Sequence, residues 1–440
     1  MLKKRGVRGL AVGAAAVLAV LGLDSVRAFD RLEWKSWDAR MALFADPSKA
    51  SKDIVLIQVD QYSLDFFAKQ GITWPWPRGL YGAIVRHLAA GGAKAVFFDI
   101  AMTETSWFGE ADDDDFSAAC AEAGNVVLPV FLSPNEPAPE SVSDPAILDI
   151  FRKKAEAGLP GILRSGSPAG GPKARAEISR SVTLPIPPLL RAARATANVG
   201  IQPDADTIYR RTPVRFLFRG GPGEGLSETS FFVGSVPLAL VMAGRSGKEA
   251  PADSINGDGR MIIRYFRTDP KTGSAYESYT AASVINSFAL VQEGKKPDLE
   301  AAVFAGKIVL VGLTAVGLFD IKASPLSGSV PGVEIQAAAV DTMLNNRAFD
   351  FLPGVLDWLY IAILALAAGW TVSILRKPGA QAGAFAGFLL APAAASTAAF
   401  GGKIWLDFVA PFSAILLTIV GAAVLNYMVE GRERRFLKGA

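Results

Sequence analysis

Four long uncharged runs decide most of what this chain can become, because a helix needs about twenty consecutive apolar residues to cross the ~30 Å hydrocarbon core of a bilayer. The first covers residues 9–23 and follows Lys3, Lys4, Arg5 and Arg8; the other three, 358–375, 379–402 and 408–429, lie together near the end of the sequence. Half of the 440 residues are hydrophobic and 20% are charged. That balance is high for a soluble enzyme and too apolar for a disordered chain. The first run resembles a signal sequence or a short signal anchor. Asp24-Ser25-Val26-Arg27-Ala28 offers no small-x-small cleavage site, so a retained anchor is the expectation.

Lys and Arg placement orients the spans. Arg376 and Lys377 follow the second run, Arg432, Arg434, Arg435 and Lys438 follow the fourth, and the turn between the third and fourth has only Lys403 and one acid. With the basic ends inside, every span alternates correctly. The predicted organisation is a basic cytoplasmic N-terminus (1–8), an anchor helix (9–23), an outer domain (24–353), transmembrane helices at 354–375, 379–400 and 408–429, and a cytoplasmic tail (430–440). The formal net charge of +3, from 45 basic and 42 acidic residues, gives no global field for a nucleic-acid partner. A single cysteine, Cys120, and a single histidine, His87, exclude intramolecular disulfides and multi-Cys or multi-His metal centres within one chain. No cofactor is expected.

Within the outer region, short apolar runs bounded by polar residues read as buried strands. Ile54-Val55-Leu56-Ile57-Gln58-Val59-Asp60 and Ala95-Val96-Phe97-Phe98-Asp99 each end in a carboxylate, with a helix expected over 78–90 between them. A helix over 114–123, strands over 125–131 and 307–314 and a helix over 334–344 extend the alternation. The fold class is therefore an α/β extracytoplasmic domain with a mostly parallel, helix-covered sheet, plus one N-terminal and three C-terminal transmembrane helices. Residues 133–180 read as a Pro- and Gly-rich loop with a short helix over 146–157. Runs 197–200, 214–218 and 261–265 read as antiparallel or edge strands, 232–243 and 280–293 as helices, and the glycine-rich 219–225 as a flexible turn.

The candidate site residues are Asp60, Trp74, Trp76, Arg78, Asp99, Thr314 and Asp320. Asp60 and Asp99 end neighbouring predicted strands, where open α/β sheets place their ligand crevice, and Thr314 and Asp320 follow a third strand. Acids there suit Mg²⁺, Ca²⁺ or the amine and hydroxyl groups of a small ligand; equally, they suit helix caps and loop hydrogen bonds. Prolines hold Trp74-Pro75-Trp76-Pro77-Arg78 extended, so it either stacks on a ligand or binds an anion, or pins the strand-to-helix connection with Arg78 paired to Asp60 or Asp99. Asp112 to Asp115 read as a solvated start of a helix, His87 as a surface or packing residue, and Cys120 as a small buried group.

The runs 54–60, 74–78, 90–99, 306–312, 320–325 and 331–337 together resemble the second type of CHASE domain, and the three terminal spans resemble the transmembrane block that follows it in that family. The resemblance covers residues 29–352. It implies an extracytoplasmic sensory module of bacterial cyclases and kinases, in a multi-pass protein of the inner membrane with its large domain periplasmic or extracellular, and it supplies no catalytic residue. The tail after Asn426 resembles the juncture leading into a class III nucleotide cyclase domain, as in receptor-type adenylate and guanylate cyclases. Such an effector would follow in a longer protein; the alternative is a scaffold or stand-alone sensor acting through a partner. The expected partners are a second copy of the chain, an extracytoplasmic ligand or envelope protein, and membrane lipids. No nucleotide cyclisation is expected of these 440 residues alone.

Overall fold

The structure, a computed structural model, describes residues 2–134, 144–159, 176–220, 229–244, 259–270, 273–318 and 321–439. Asp320, positions 221–225 of the glycine-rich turn and much of the predicted loop 133–180 lie outside the described residues. In chain order, helices α1 (Leu2–Ser25) and α2 (Asp30–Phe44) precede strand β1 (Ile54–Val59), helices α3 (Gln61–Ala68) and α4 (Arg78–Ala90), strand β2 (Ala95–Asp99), helix α5 (Glu110–Ala123) and strand β3 (Val126–Ser133). Helix α6 (Pro145–Ala157), strand β4 (Ser181–Thr183), helix α7 (Pro187–Ala192) and strand β5 (Ala195–Asn198) follow. After helix α8 (Val236–Gly244) come strand β6 (Glu277–Thr280), helix α9 (Ala281–Gln292), strand β7 (Ile308–Leu313) and helices α10 (Gly332–Leu344), α11 (Gly354–Ile374), α12 (Pro378–Gly401) and α13 (Val409–Gly439).

The chain divides into two compact units: residues 44–348, and residues 1–43 with 349–440. The first holds a seven-stranded sheet in the order β6-β1-β7-β2-β3, with β4 and β5 both pairing with β3. All pairings are parallel except β4 with β3. Val55, Ile57, Val96, Phe98, Val309 and Val311 pack on one face with Ile84, Leu88, Phe116 and Val284 from α4, α5 and α9. Helices α8 and α10 lie along the other side. Burial on both faces is why these strands read as unbroken apolar runs rather than alternating ones. At Gly312 of β7 a Cβ would collide with Val333, so glycine lets the start of α10 come down onto the sheet.

Three expectations need correction. β1 and β2 are not neighbours, since β7 inserts between them. The helix expected from 232 starts only at Val236, because Thr229–Gly234 pairs antiparallel with Arg215–Gly220. The run 197–200, read as an antiparallel or edge strand, is found at Ala195–Asn198, pairing parallel with β3 alone at the edge of the sheet, whereas the strand expected over 261–265 is confined to Arg260–Ile262.

Among the described residues of the second unit, four helices are long and apolar enough to cross a membrane: Lys4–Ser25, Gly354–Ile374, Pro378–Gly401 and Val409–Val429. α1 packs against α11 and α13. Gly6 meets Trp370, Gly9 meets Gly369 and Gly13 meets Ala365. This descending register makes α1 and α11 antiparallel, with backbones at Gly9 and Gly369 so close that neither tolerates a Cβ. The antiparallel register also brings the N-terminal basic cluster to the same end of the bundle as Arg376 and Lys377, as the charge rule requires. α2, absent from the sequence expectations, is wound against the opposite end: Trp37 is fully buried, stacked on Trp405 at 4.0 Å and 8° and packed on Phe349 and Phe400.

Candidate functional site

Parallel strands bring Asp60, Asp99 and Thr314 to one edge of the sheet, the carboxyl edge, but they do not form one cluster there. Asp60 caps α3: its Oδ1 accepts from the Ser63 backbone N–H at 2.9 Å and from the Ser63 hydroxyl at 2.6 Å, the structural alternative foreseen for it. The Thr314 N–H donates to the Val59 carbonyl at 3.0 Å, while its hydroxyl is buried with no hydrogen-bond partner.

Arg78 pairs with neither Asp60 nor Asp99. Its guanidinium lies 3.0 Å from Asp113 Oδ1 and donates to the Glu104 carbonyl. Asp112 caps α4, accepting from the backbone N–H groups of Arg78 at 2.7 Å and Gly79 at 2.8 Å. The acids read as solvated are thus partly structural, and Asp113 is only 3% exposed. The physical reason is Pro77 at the N-cap of α4, which supplies no side-chain acceptor, so another helix must provide one. Burial pushes the Arg78 pKa down while Asp113 and Asp112 oppose that shift. Trp76 is buried against Phe67 and edge-on to Trp74, with its indole N–H unpaired, beside a recess of ≈ 200 Å³ lined also by Trp74, Arg78 and Trp107. His87 is a packing residue edge-on to Phe304, and Cys120 is buried, its thiol pushed up to about 12 by burial.

Asp99 instead lines a second, larger crevice of ≈ 320 Å³ at the ends of β2, β7 and β5, with Lys322 and the first turn of α10 in its wall. Pro331 at the N-cap of α10 leaves the first-turn N–H groups uncapped, and the helix dipole turns its positive end toward the opening. Gln336, 4% exposed, donates its Nε2 to the Val199 carbonyl at 3.1 Å, which fixes the amide and leaves Oε1 buried with no partner. Sequence reasoning missed Gln336. The signal was there, a lone amide inside the apolar pattern of 333–343.

Two buried networks were also missed. Asp341, fully buried on α10, accepts from Ser51 N–H at 2.9 Å and pairs with Arg347 at 2.9 Å; burial raises its pKa against the pull of Arg347. In the second unit, Glu33 and Arg40 of α2 are joined at 2.6 Å. Glu33 Oε2 accepts from the N–H groups of Phe408 and Val409, each at 2.8 Å, and Arg40 donates to the Leu406 carbonyl at 2.8 Å. This is a collar around the start of α13. The spacing of Glu33, Trp37 and Arg40 on one helical face was its sequence signal.

Among the described residues, no group of three or more His, Cys, Asp or Glu is placed to hold a metal ion. A family model described as the CHASE2 domain matches residues 14–370, most of the chain. No curated protein and no solved structure matches.

Proposed function

The chain belongs to the CHASE2 family, and from that premise we propose that it senses an extracytoplasmic signal at the carboxyl edge of its sheet and relays it through α2 to α13. It is a multi-pass membrane protein whose large extracytoplasmic sensor domain is flanked by transmembrane helices. The observation that carries the relay is the collar. α2 is the segment by which the chain enters the outer domain, and it holds the first turn of α13 through Glu33 and Arg40. α13 runs on from that grip for 31 residues, through the membrane and into the basic tail. A displacement of α2 is therefore a displacement of α13. Only a ligand or partner with unequal affinity for two arrangements can drive it.

The output we propose is control of a class III adenylate or guanylate cyclase domain in a homodimer. The tail's resemblance to the cyclase juncture supports this reading. Four basic residues within 432–438 would hold the emerging helix at the anionic leaflet, at about 1 kcal/mol each. The test is a fusion of a class III catalytic domain to Ala440. Glu33→Gln and Arg40→Ala are expected to change its cyclic-nucleotide output several-fold, whereas output indifferent to both collar variants would sink the relay.

A further inference from the structure

We propose that the recess beside Trp76 binds one hexopyranose ring, free or at the end of a glycan; the proposal rests on the sensor reading and names a ligand class for that same sheet edge. The recess opens where β2 ends, between the segment Trp74–Arg78 and the residues Ile100–Phe108 that follow the strand. One set of acids fixes both walls. Asp112 and Asp113 hold Arg78 and the start of α4. Asp112 also accepts from the Ser106 hydroxyl, and Asp113 from the Ser106 backbone N–H at 3.0 Å. The Ser106 hydroxyl in turn accepts from the Phe108 N–H at 3.1 Å. On this braced backbone Trp107 stands 86% exposed, with Phe108 exposed beside it. An indole held out in water on a fixed loop offers a large, rigid apolar face to a ligand at little cost in side-chain entropy.

The buried Trp76 N–H selects among occupants. It is a donor without an acceptor, and such a group costs free energy until an acceptor reaches it, so the occupant must carry an oxygen. An inorganic anion carries one, but the Arg78 charge is already answered by Asp113, and Asp112 and Glu104 add negative charge around it. A quaternary ammonium suits the indoles and turns methyl groups toward the N–H. A proline-rich peptide brings a carbonyl, yet it docks along an extended groove. A recess of ≈ 200 Å³, below the roughly 300 Å³ at which drug-sized pockets begin, holds a single ring. A pyranose meets these demands together. Its C–H faces lie against the indoles, a hydroxyl oxygen accepts from Trp76, and its other hydroxyls find Thr103, Glu104 and Thr105 in the wall.

The test uses the full chain in lipid nanodiscs, with D-glucose, D-galactose and N-acetyl-D-glucosamine followed by calorimetry and saturation-transfer NMR. Choline, inorganic phosphate and a decaproline peptide are the comparison ligands. The expected result is saturable binding of at least one sugar, at least tenfold tighter than any comparison ligand. Trp107→Ala, a change at an exposed side chain, and Trp76→Phe, which keeps a ring and removes the N–H, should each weaken that sugar at least tenfold. If Trp76→Phe fails to fold, Trp107→Ala decides. No binding by any of the three sugars, an affinity unchanged in Trp107→Ala, or tighter binding of choline, phosphate or decaproline would overturn the proposal. The trisaccharide of the sugar that binds separates the two sources: tighter binding than the monosaccharide marks the end of a glycan, and equal or weaker binding marks a free sugar. Sugar binding without any change in the output of the cyclase fusion would leave the recess standing and remove the relay. Collar-dependent output without sugar binding would do the reverse.

Discussion

The collar at the start of α13 and the pin at the start of α4 are built from the same parts. In each, a carboxylate from another helix takes two successive N–H groups at the start of a helix, Glu33 on Phe408 and Val409, Asp112 on Arg78 and Gly79. In each, an arginine pairs with an acid and donates to a backbone carbonyl, Arg40 to Leu406 and Arg78 to Glu104. They differ in what they join. The pin closes a loop between α4 and α5 inside one sheet domain, while the collar ties positions 375 residues apart at the head of a transmembrane helix. The same chemistry is a local brace in one place and a mechanical linkage in the other.

The largest effects should come from breaking the ion pairs. Both are nearly buried, with side-chain exposures of 9% and 4% for Arg78 and Asp113 and 6% and 9% for Arg40 and Glu33. Arg78→Ala and Arg40→Ala should each cost about 3–5 kcal/mol, since the remaining carboxylate loses its counter-charge. Chemical denaturation should locate the loss differently: the pin variant lowers the transition of residues 44–348, and the collar variant leaves that transition in place. Equal lowering of the sheet domain by both would erase the distinction between brace and linkage.

A pH effect separates the two next. The Asp407 carboxyl, which accepts from Trp405 Nε1 at 3.0 Å, is pushed up from 3.8 to about 7 by burial first and then by Glu33 and Asp357. Its folded pKa exceeds the unfolded one, so its contribution to stability is complete below pH 3.8 and is lost as the pH rises through about 7. Asp407→Asn should flatten that fall and stabilise the helical unit above pH 7 by up to about 4 kcal/mol. Thermal melts at pH 5 and 8 check this, and an unchanged difference between the two would refute it.

Smaller effects probe the caps alone. Asp112→Ala should cost about 1–2 kcal/mol through the lost cap of α4. Asp60→Asn should stay within about 0.5 kcal/mol, because an amide caps a helix as well as a carboxylate does. A loss above about 2 kcal/mol for Asp60→Asn, measured by urea denaturation, would mean that its charge matters beyond the Ser63 bonds.

The apolar runs of β1, β2 and β7 and the helix at 78–90 were legible because burial on both faces leaves a continuous hydrophobic signature. Asp60 and Asp99 were correctly read as strand-ending acids. Their lack of adjacency was not legible, because strand order depends on where β7, more than 200 residues later, inserts. The true partner of Arg78 was hidden for a similar reason. Asp112 and Asp113 look like any acidic helix start until the missing cap at Pro77 is seen to require them. α2 escaped notice because its charged residues mask the short face of Glu33, Trp37 and Arg40 that the bundle buries.

The central claim is that α2 sets the position of α13, and a distance across the helical unit tests it most directly. Spin labels at Arg376→Cys, in the turn after α11, and Tyr427→Cys, on the far part of α13, with the buried Cys120 replaced by Ala, report that distance in nanodiscs by pulsed electron resonance. The account predicts that Glu33→Gln combined with Arg40→Ala shifts and broadens the distribution, while Arg78→Ala leaves it as in the parent. A distribution unchanged by the collar variants, or changed as much by Arg78→Ala, would contradict it.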